Sequence, residues 1–281
     1  MYDRLFVGMQ HLLPQHALTR IVYSLTRNRA PFIKNALISR FVRHFKPDMS
    51  EAAQPDPLAF GSFNEFFTRA LRADARPIDS NPNALVSPVD GIISQLGPLD
   101  GSQLAQAKGL YYTLDSLLDG RHEYAVQFAG GAFATLYLAP FNYHRIHMPF
   151  TGTLRAAWHV PGNLFSVNAV TAASVAGLFA RNERVVCIFE NGPLTFAMIL
   201  VGALFVGSME TIWHGEITPR RPRRGCDLAP HPTPLLRGLE MGRFNMGSTV
   251  ILLLPRHAAE WLPSIRSGSG IRVGQAMARL L

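Results

Sequence analysis

Three short segments carry residue types that could do chemistry together. Ser87-Pro88-Val89-Asp90-Gly91 sets a carboxylate in a turn ahead of a strand. Tyr143-His144-Arg145-Ile146-His147-Met148-Pro149 holds two histidines three residues apart. In extended chain such residues point to opposite faces, so His144 and His147 would do different jobs. Phe244-Asn245-Met246-Gly247-Ser248-Thr249 leads into the apolar run Val250 to Leu254. An acid, an imidazole and a serine hydroxyl are the ingredients of nucleophilic activation: the imidazole takes the hydroxyl proton and the acid steadies the imidazolium. Each segment alone also has an ordinary reading. Asp in a tight turn bonds its own backbone, a histidine can be a hydrogen-bonded core residue, and a glycine turn commonly enters a buried strand. Asp90, His147 and Ser248 would equally suit a conventional serine hydrolase whose chain stays whole.

The elements that must position these residues are legible from periodicity and punctuation. Residues 1 to 47 read as basic amphipathic helices. Leu5, Phe6, Met9, Leu12 and Leu13 form one apolar stripe, stopped by Pro14, and Leu18, Ile21, Val22 and Leu25 form a second. Pro31 suits the first turn of a third helix, with Ile33, Leu37, Ile38, Phe41, Val42 and Phe45 on its apolar face. Such helices can lie on a bilayer or cap a folded domain. Residues 48 to 60 read as a linker, and Phe63 to Arg69 as a short helix. After Ile78 the texture is β, with strands expected at Gly91 to Gln95, Tyr124 to Phe128, Phe133 to Leu138, Gly152 to Val160, Arg184 to Glu190, Leu194 to Val201, Leu204 to Met209 and Ser248 to Leu254. Val170 to Phe179 reads as a helix or an apolar loop. There is no regular alternation of strand and helix. The expected class is α+β, a mainly antiparallel or mixed β core with N-terminal amphipathic helices.

The chain has 281 residues, 48% hydrophobic, with a formal net charge of +8. That bounds it to one large domain or a main domain with an appendage and excludes compositional disorder. Only three of its 27 basic residues are lysines; arginine favours planar anions such as carboxylate and phosphate. Thr218 to Arg224 concentrates four of the arginines in a proline-broken stretch, read as an exposed loop. No folded reading element or run of stacking aromatics accompanies it, so nucleic acid is not expected as a partner. Asn191 to Met209 is uncharged, but Asn191-Gly192-Pro193 is a turn signal and two later glycines interrupt the run, so it reads as two buried strands rather than a membrane span. Cys187 and Cys226 form no CxxC pair, which points away from a zinc site or a disulfide framework. No metal site is expected, and no secretory signal is apparent.

Taken in order along the chain, Asn64-Glu65-Phe66-Phe67-Thr68-Arg69, Ser87 to Gly91, Tyr143 to Pro149 and Met246-Gly247-Ser248-Thr249 make the sequence resemble the phosphatidylserine decarboxylase family, bacterial in type. That family carries FxEFFxR-like, SPxDG, YHRxHxP and [LV]GS[TS] segments in the same order. Met246 departs from the usual Leu, a swap of similar volume. The resemblance implies a proenzyme that cuts itself between Gly247 and Ser248 into a β chain, residues 1 to 247, and an α chain, residues 248 to 281. Asp90, His147 and Ser248 would perform the cut, and Ser248 would become a covalent pyruvoyl group. That group would form a Schiff base with phosphatidylserine and yield phosphatidylethanolamine and CO2. His144 would position substrate or transfer a proton. Residues 48 to 281 would form the catalytic domain. The basic helices of residues 1 to 47 would dock it as a peripheral protein on the cytoplasmic side of an anionic cell membrane. Two other readings stay open: a pyruvoyl-dependent decarboxylase of another amino acid, and a basic lipid-binding protein without catalysis. The family also leaves room for a homodimer, which no sequence feature fixes.

Overall fold

The computed structural model describes residues 2–205, 208–217, 227–229 and 231–281; of residues 2–6 it describes the backbone alone. Thr218 to Arg224 and Cys226 lie outside the described residues.

Ser248–Leu254, apolar from Val250 onward, forms a strand with no solvent face, and all seven of its residues are buried. It lies inside an eight-stranded sheet, between Leu194–Val201 and Ala132–Leu138. Arg184–Asn191 and Gly152–Val160 continue the sheet on one side, ending at the edge strand Thr233–Leu235. Gly91–Pro98 and Gly270–Ile271 complete it on the other. Every neighbouring pair is antiparallel. The hairpin Arg184–Asn191/Leu194–Val201 turns at Gly192-Pro193, where Gly192 takes a φ of 56° that a tight hairpin requires. Gly91 is dictated by packing: a Cβ there would lie 2.3 Å from the Tyr137 carbonyl oxygen of the neighbouring strand. A second, four-stranded antiparallel sheet runs Gly215–Ile217, Met209–Thr211, Glu240–Phe244, Arg145–His147.

The α+β class holds, with two corrections among its elements. Tyr124 to Phe128, expected as a strand, belongs to the helix His122–Phe128. Val126 is 61% exposed while Phe128 is fully buried; two residues apart in a strand they would share a face. Leu204 to Met209, also expected as a strand, turns at Leu204 and Phe205, the latter at a φ of 67°, and pairing begins only at Met209. Val170 to Phe179 contains the one-turn helix Ala169–Ala172 and the start of another, Leu178–Arg181.

Helices α1 (Tyr2–Leu12), α2 (Gln15–Thr26), α3 (Pro31–Phe45) and α4 (Phe63–Phe67) precede the sheets. The third apolar stripe packs inward: Ile38 and Phe41 of α3 meet Phe63, Phe66 and Phe67 of α4 in a small aromatic core. The first two helices do the reverse. Gln10 accepts from the Ser166 amide at 2.8 Å and donates to Thr171 Oγ1, while Gln15 accepts from the Leu164 amide at 2.7 Å. These glutamines and Thr19 are buried, whereas Met9, Leu12, Ile21 and Leu25 face outward, Leu12 at 86% exposure and Ile21 at 65%. Among the described residues no helix is long and apolar enough to cross a membrane.

Candidate active site

Two crossings between the sheets lie side by side, and they build the site. The chain leaves the large sheet at Leu138 and enters the small one at Arg145, carrying Tyr143 and His144 on the way. It returns from the small sheet at Phe244 and re-enters the large one at Ser248. Ser248 pairs with Leu138, and the Phe244 amide donates to the His144 carbonyl at 3.0 Å, so the Gly247–Ser248 peptide is held beside His144. The turn from Ser87 to Asp90 joins them, since the His147 amide donates to the Pro88 carbonyl at 2.8 Å. The structure thus gathers the three segments that sequence alone only aligned.

Ser248 is fully buried, and its Oγ has no hydrogen-bond partner. His144 is fully buried as well. Its Nδ1 lies 2.8 Å from the Asn142 carbonyl, which can only accept, so Nδ1 carries the proton and Nε2 carries a free lone pair. That Nε2 also lacks a partner, and it lies 3.8 Å from where a Gly247 Cβ would stand. Burial lowers the His144 pKa to about 3, with the Arg69 guanidinium pushing the same way, so the ring is neutral throughout the physiological range. Phe67 of α4 covers it, ring centroids 4.2 Å apart. Two buried polar atoms without partners thus stand next to one peptide bond, where a structural core ordinarily pairs such groups.

His147 and Asp90 are engaged elsewhere in this arrangement. His147 Nδ1 donates to the Gly238 carbonyl at 2.8 Å, so its Nε2 accepts from the Tyr143 hydroxyl at 3.0 Å. Burial lowers the His147 pKa, but Glu240 and Asp90 both act to raise it, which the surroundings of His144 do not offer. Asp90 accepts from Arg76 Nε at 3.0 Å and from the Val273 amide at 2.9 Å, and it makes no hydrogen bond to His147. The expected orienting bond between Asp90 and His147 is thus replaced by an Arg76 clamp, leaving Asp90 to act on the imidazole through space.

Two further residues stand out that sequence reasoning left without a role. Tyr143 is held protonated by burial and caps His147; its signal was its place four residues before that histidine. Arg69, 3% exposed, donates to the Phe141 carbonyl at 3.3 Å while its Nε and Nη1 lack partners. This cation disfavours an imidazolium at His144. A cavity of about 270 Å3 opens beside Gly247, walled by Phe41 and Phe45 of α3, Phe67 of α4, and Tyr137, Val167 and Phe205.

A family model described as phosphatidylserine decarboxylase matches residues 63–279. The chain belongs to the phosphatidylserine decarboxylase family. A second model, described as PSD, matches residues 5–46, the segment of α1 to α3. The chain is 51% identical to a phosphatidylserine decarboxylase proenzyme of Bordetella pertussis, over 98% of this chain and 94% of that protein. It is 50% identical to one of Stutzerimonas stutzeri and 49% identical to one of Azotobacter vinelandii, each over 99% of this chain and 95% and 98% of theirs. Both the helical segment and the sheets are therefore family features, and the four motifs lie within the matched residues.

Glycine stands at 247, directly ahead of Ser248. Before any cut the backbone does not demand it: a Cβ would sit 3.6 Å from the Leu138 carbonyl oxygen and 3.8 Å from His144 Nε2, both ordinary contacts. The demand would fall on a cut at this bond, in which the carbonyl carbon becomes tetrahedral in that gap. Gly247→Ala should therefore fold normally, its unfolding free energy within about 1 kcal/mol of the parent. Its self-cutting should slow by about tenfold or more. Timed intact-mass spectra and urea unfolding separate the two effects, and cutting at the parental rate would remove the steric argument.

Proposed function

We propose that this chain is a self-cutting phosphatidylserine decarboxylase that works at a membrane surface. The observation that carries the reading is the unpartnered Ser248 hydroxyl together with the free His144 nitrogen beside Gly247, in a chain of this family. The relatives' name, proenzyme, supports a precursor that is processed.

The cut begins when the Ser248 hydroxyl attacks the Gly247 carbonyl carbon and the amide becomes an ester. Loss of the Ser248 Cα proton and departure of the Gly247 carboxylate free residues 1–247 from residues 248–281. One water then hydrolyses the new N-terminus to a pyruvoyl group and releases ammonia. The first step needs a base that can hold a positive charge. His147 answers that need better than His144: burial and Arg145 oppose its imidazolium, but Glu240 and Asp90 offset part of that cost, whereas Arg69 adds to the burial that opposes an imidazolium at His144. His147 can serve only after the Tyr143 hydroxyl releases its Nε2, so the arrangement described is a resting one.

The residues fit the group: Ser248 is buried at the end of a rigid strand, beside a neutral imidazole and an aromatic cavity. When formed, the pyruvoyl group supplies a carbonyl that condenses with the substrate amine and an electron sink for the electrons left by departing CO2. His144, beside that position with a free nitrogen that can accept a hydrogen bond, orients the substrate headgroup. The cavity beside Gly247 takes the glycerol end of the lipid, with the aromatic side chains of α3 as the wall nearest the bilayer. Burial in this closed site keeps water from the reacting atoms.

The inverted packing of α1 and α2 supports a peripheral membrane location, and we place it on the cytoplasmic side from the resemblance to bacterial members of the family. Their glutamines face the protein while Met9, Leu12, Ile21 and Leu25 face out, with exposed Arg20 beside them for lipid phosphates. The purified protein should convert phosphatidylserine in vesicles to phosphatidylethanolamine with release of CO2. Activity confined to water-soluble serine derivatives or other free amino acids would overturn the lipid reading. Leu12→Ser together with Ile21→Ser should weaken co-sedimentation with anionic vesicles by about tenfold or more, given about 1.5–3 kcal/mol for each apolar side chain buried. Unchanged binding by that variant would remove the two helices from the membrane contact.

A further inference from the structure

Gly247 and Ser248 are held from two directions. On one side Ser248 is fixed in the central ladder opposite Leu138. On the other side the last firmly bonded residue is Asn245, two residues before Gly247. Asn245 is buried, and its amide is held at both ends. Its oxygen accepts from Asn64 Nδ2 of α4 at 3.2 Å, and its Nδ2 donates to Ser208 Oγ at 2.6 Å. The backbone repeats the link, since the Asn245 amide donates to the Ser208 carbonyl at 3.1 Å.

Ser208, also buried, passes the connection on. Its hydroxyl donates to Glu216 Oε1 and accepts from Arg27 Nη2 at 3.1 Å as well as from Asn245. That uses the one donor and both acceptor positions of a hydroxyl. Arg27 closes the loop by pairing with Glu216 Oε1, and the Tyr23 hydroxyl donates to Glu216 Oε2 at 3.0 Å. The Arg27 guanidinium lies over the Tyr23 ring, 3.6 Å from its centroid. A continuous chain of hydrogen bonds therefore runs from the end of α2 through Glu216 and Ser208 to Asn245. The same helix exposes Ile21 and Leu25 on its outer face.

We propose that Arg27 and Tyr23, acting through Glu216 and Ser208, hold Asn245 and thereby set the position of the Gly247–Ser248 bond, which makes α2 a positioning element of the self-cutting site. The inference rests on the self-cutting reading above. None of these four residues touches the reacting atoms. Their effect is to keep Met246 and Gly247 taut between Asn245 and the ladder, with the carbonyl carbon of Gly247 within reach of the Ser248 hydroxyl. A networked anchor of this kind loses its function at any link, because each partner orients the next.

The test uses the full-length chain and follows the cut by intact mass at timed intervals. Arg27→Met, Ser208→Ala and Asn245→Ala should each lengthen the half-time of cutting by about 10- to 100-fold, the penalty expected when a reacting group is misplaced by about 1 Å. Arg27→Lys, which keeps a charged donor for Glu216 and Ser208, should recover most of the rate. Arg27→Met combined with Asn245→Ala should be no slower than the slower single variant, because both break one chain; a merely destabilising pair would multiply. Thermal unfolding of the same changes made in a Ser248→Ala background checks that the fold persists. Parental cutting rates in all three single variants, or multiplied effects in the pair, would overturn the proposal. An uncut parental protein would instead overturn the self-cutting reading itself.

Discussion

Ser248→Ala should remain a single 281-residue chain with no decarboxylase activity, whereas the parent should appear as two pieces, residues 1–247 and 248–281. The substitution is a clean probe because the Ser248 hydroxyl makes no hydrogen bond and touches no solvent. Removing it leaves no partner unsatisfied, so the fold should be as stable as before, or more stable by about 1 kcal/mol, the order of the penalty for a buried unpaired hydroxyl. The neighbouring ladder is made by the backbone and does not change. Loss of activity in that variant therefore cannot be charged to unfolding. In the parent, the smaller piece should lack a free amine and should react with carbonyl reagents, because its first residue would be a ketone. A parental preparation that decarboxylates phosphatidylserine while remaining whole would refute the pyruvoyl mechanism, and so would an active Ser248→Ala. Labelling of a whole chain by active-serine reagents would favour the hydrolase reading instead.

The parts of this fold that were legible in the sequence are those with a period or a punctuation mark. Gly152–Val160, Leu194–Val201 and Ser248–Leu254 stand where their apolar runs and flanking turns put them. The helix His122–Phe128 was missed because a short apolar run has no decisive period, and only the outward Val126 reveals it. The apolar stripes of the first two helices were visible, but not that Gln10 and Gln15 would turn the polar face inward; that depends on backbone amides of residues 164 and 166 far along the chain. At the site, the four residues and the glycine could be named from their motifs. Their partners could not. The Arg76 clamp on Asp90, the Tyr143 cap on His147 and the anchor at Asn245 are side-chain contacts between distant segments, and such contacts leave no local pattern.

The two histidines should separate cleanly by substitution. His147→Ala should cut slowly or not at all, and Asp90→Asn should slow cutting as well. His144→Ala should still cut but lose most decarboxylation, by about 100-fold or more, as expected when a group that orients the substrate is removed. The reason is electrostatic. Taking a proton from Ser248 creates a cation; at His147 the Glu240 and Asp90 carboxylates offset part of what burial and Arg145 cost it, whereas at His144, sealed from water, Arg69 adds to that cost. His144 stays neutral far below neutral pH, since burial has lowered its pKa to about 3. Such a ring makes a poor base for the cut, yet it is well suited to hold its free nitrogen against the group that replaces Ser248. The pH dependence carries the same sign. The neutral form of His147 is the base, and its pKa is lowered from 6.5, so cutting should be flat from pH 6.5 upward and fall only in more acidic solution. Cutting that already declines on going from pH 8 to 7 would place the proton on some other group. An uncut His144→Ala beside a normally cut His147→Ala would reverse the roles, and proximity to Gly247 would then outweigh charge in choosing the base.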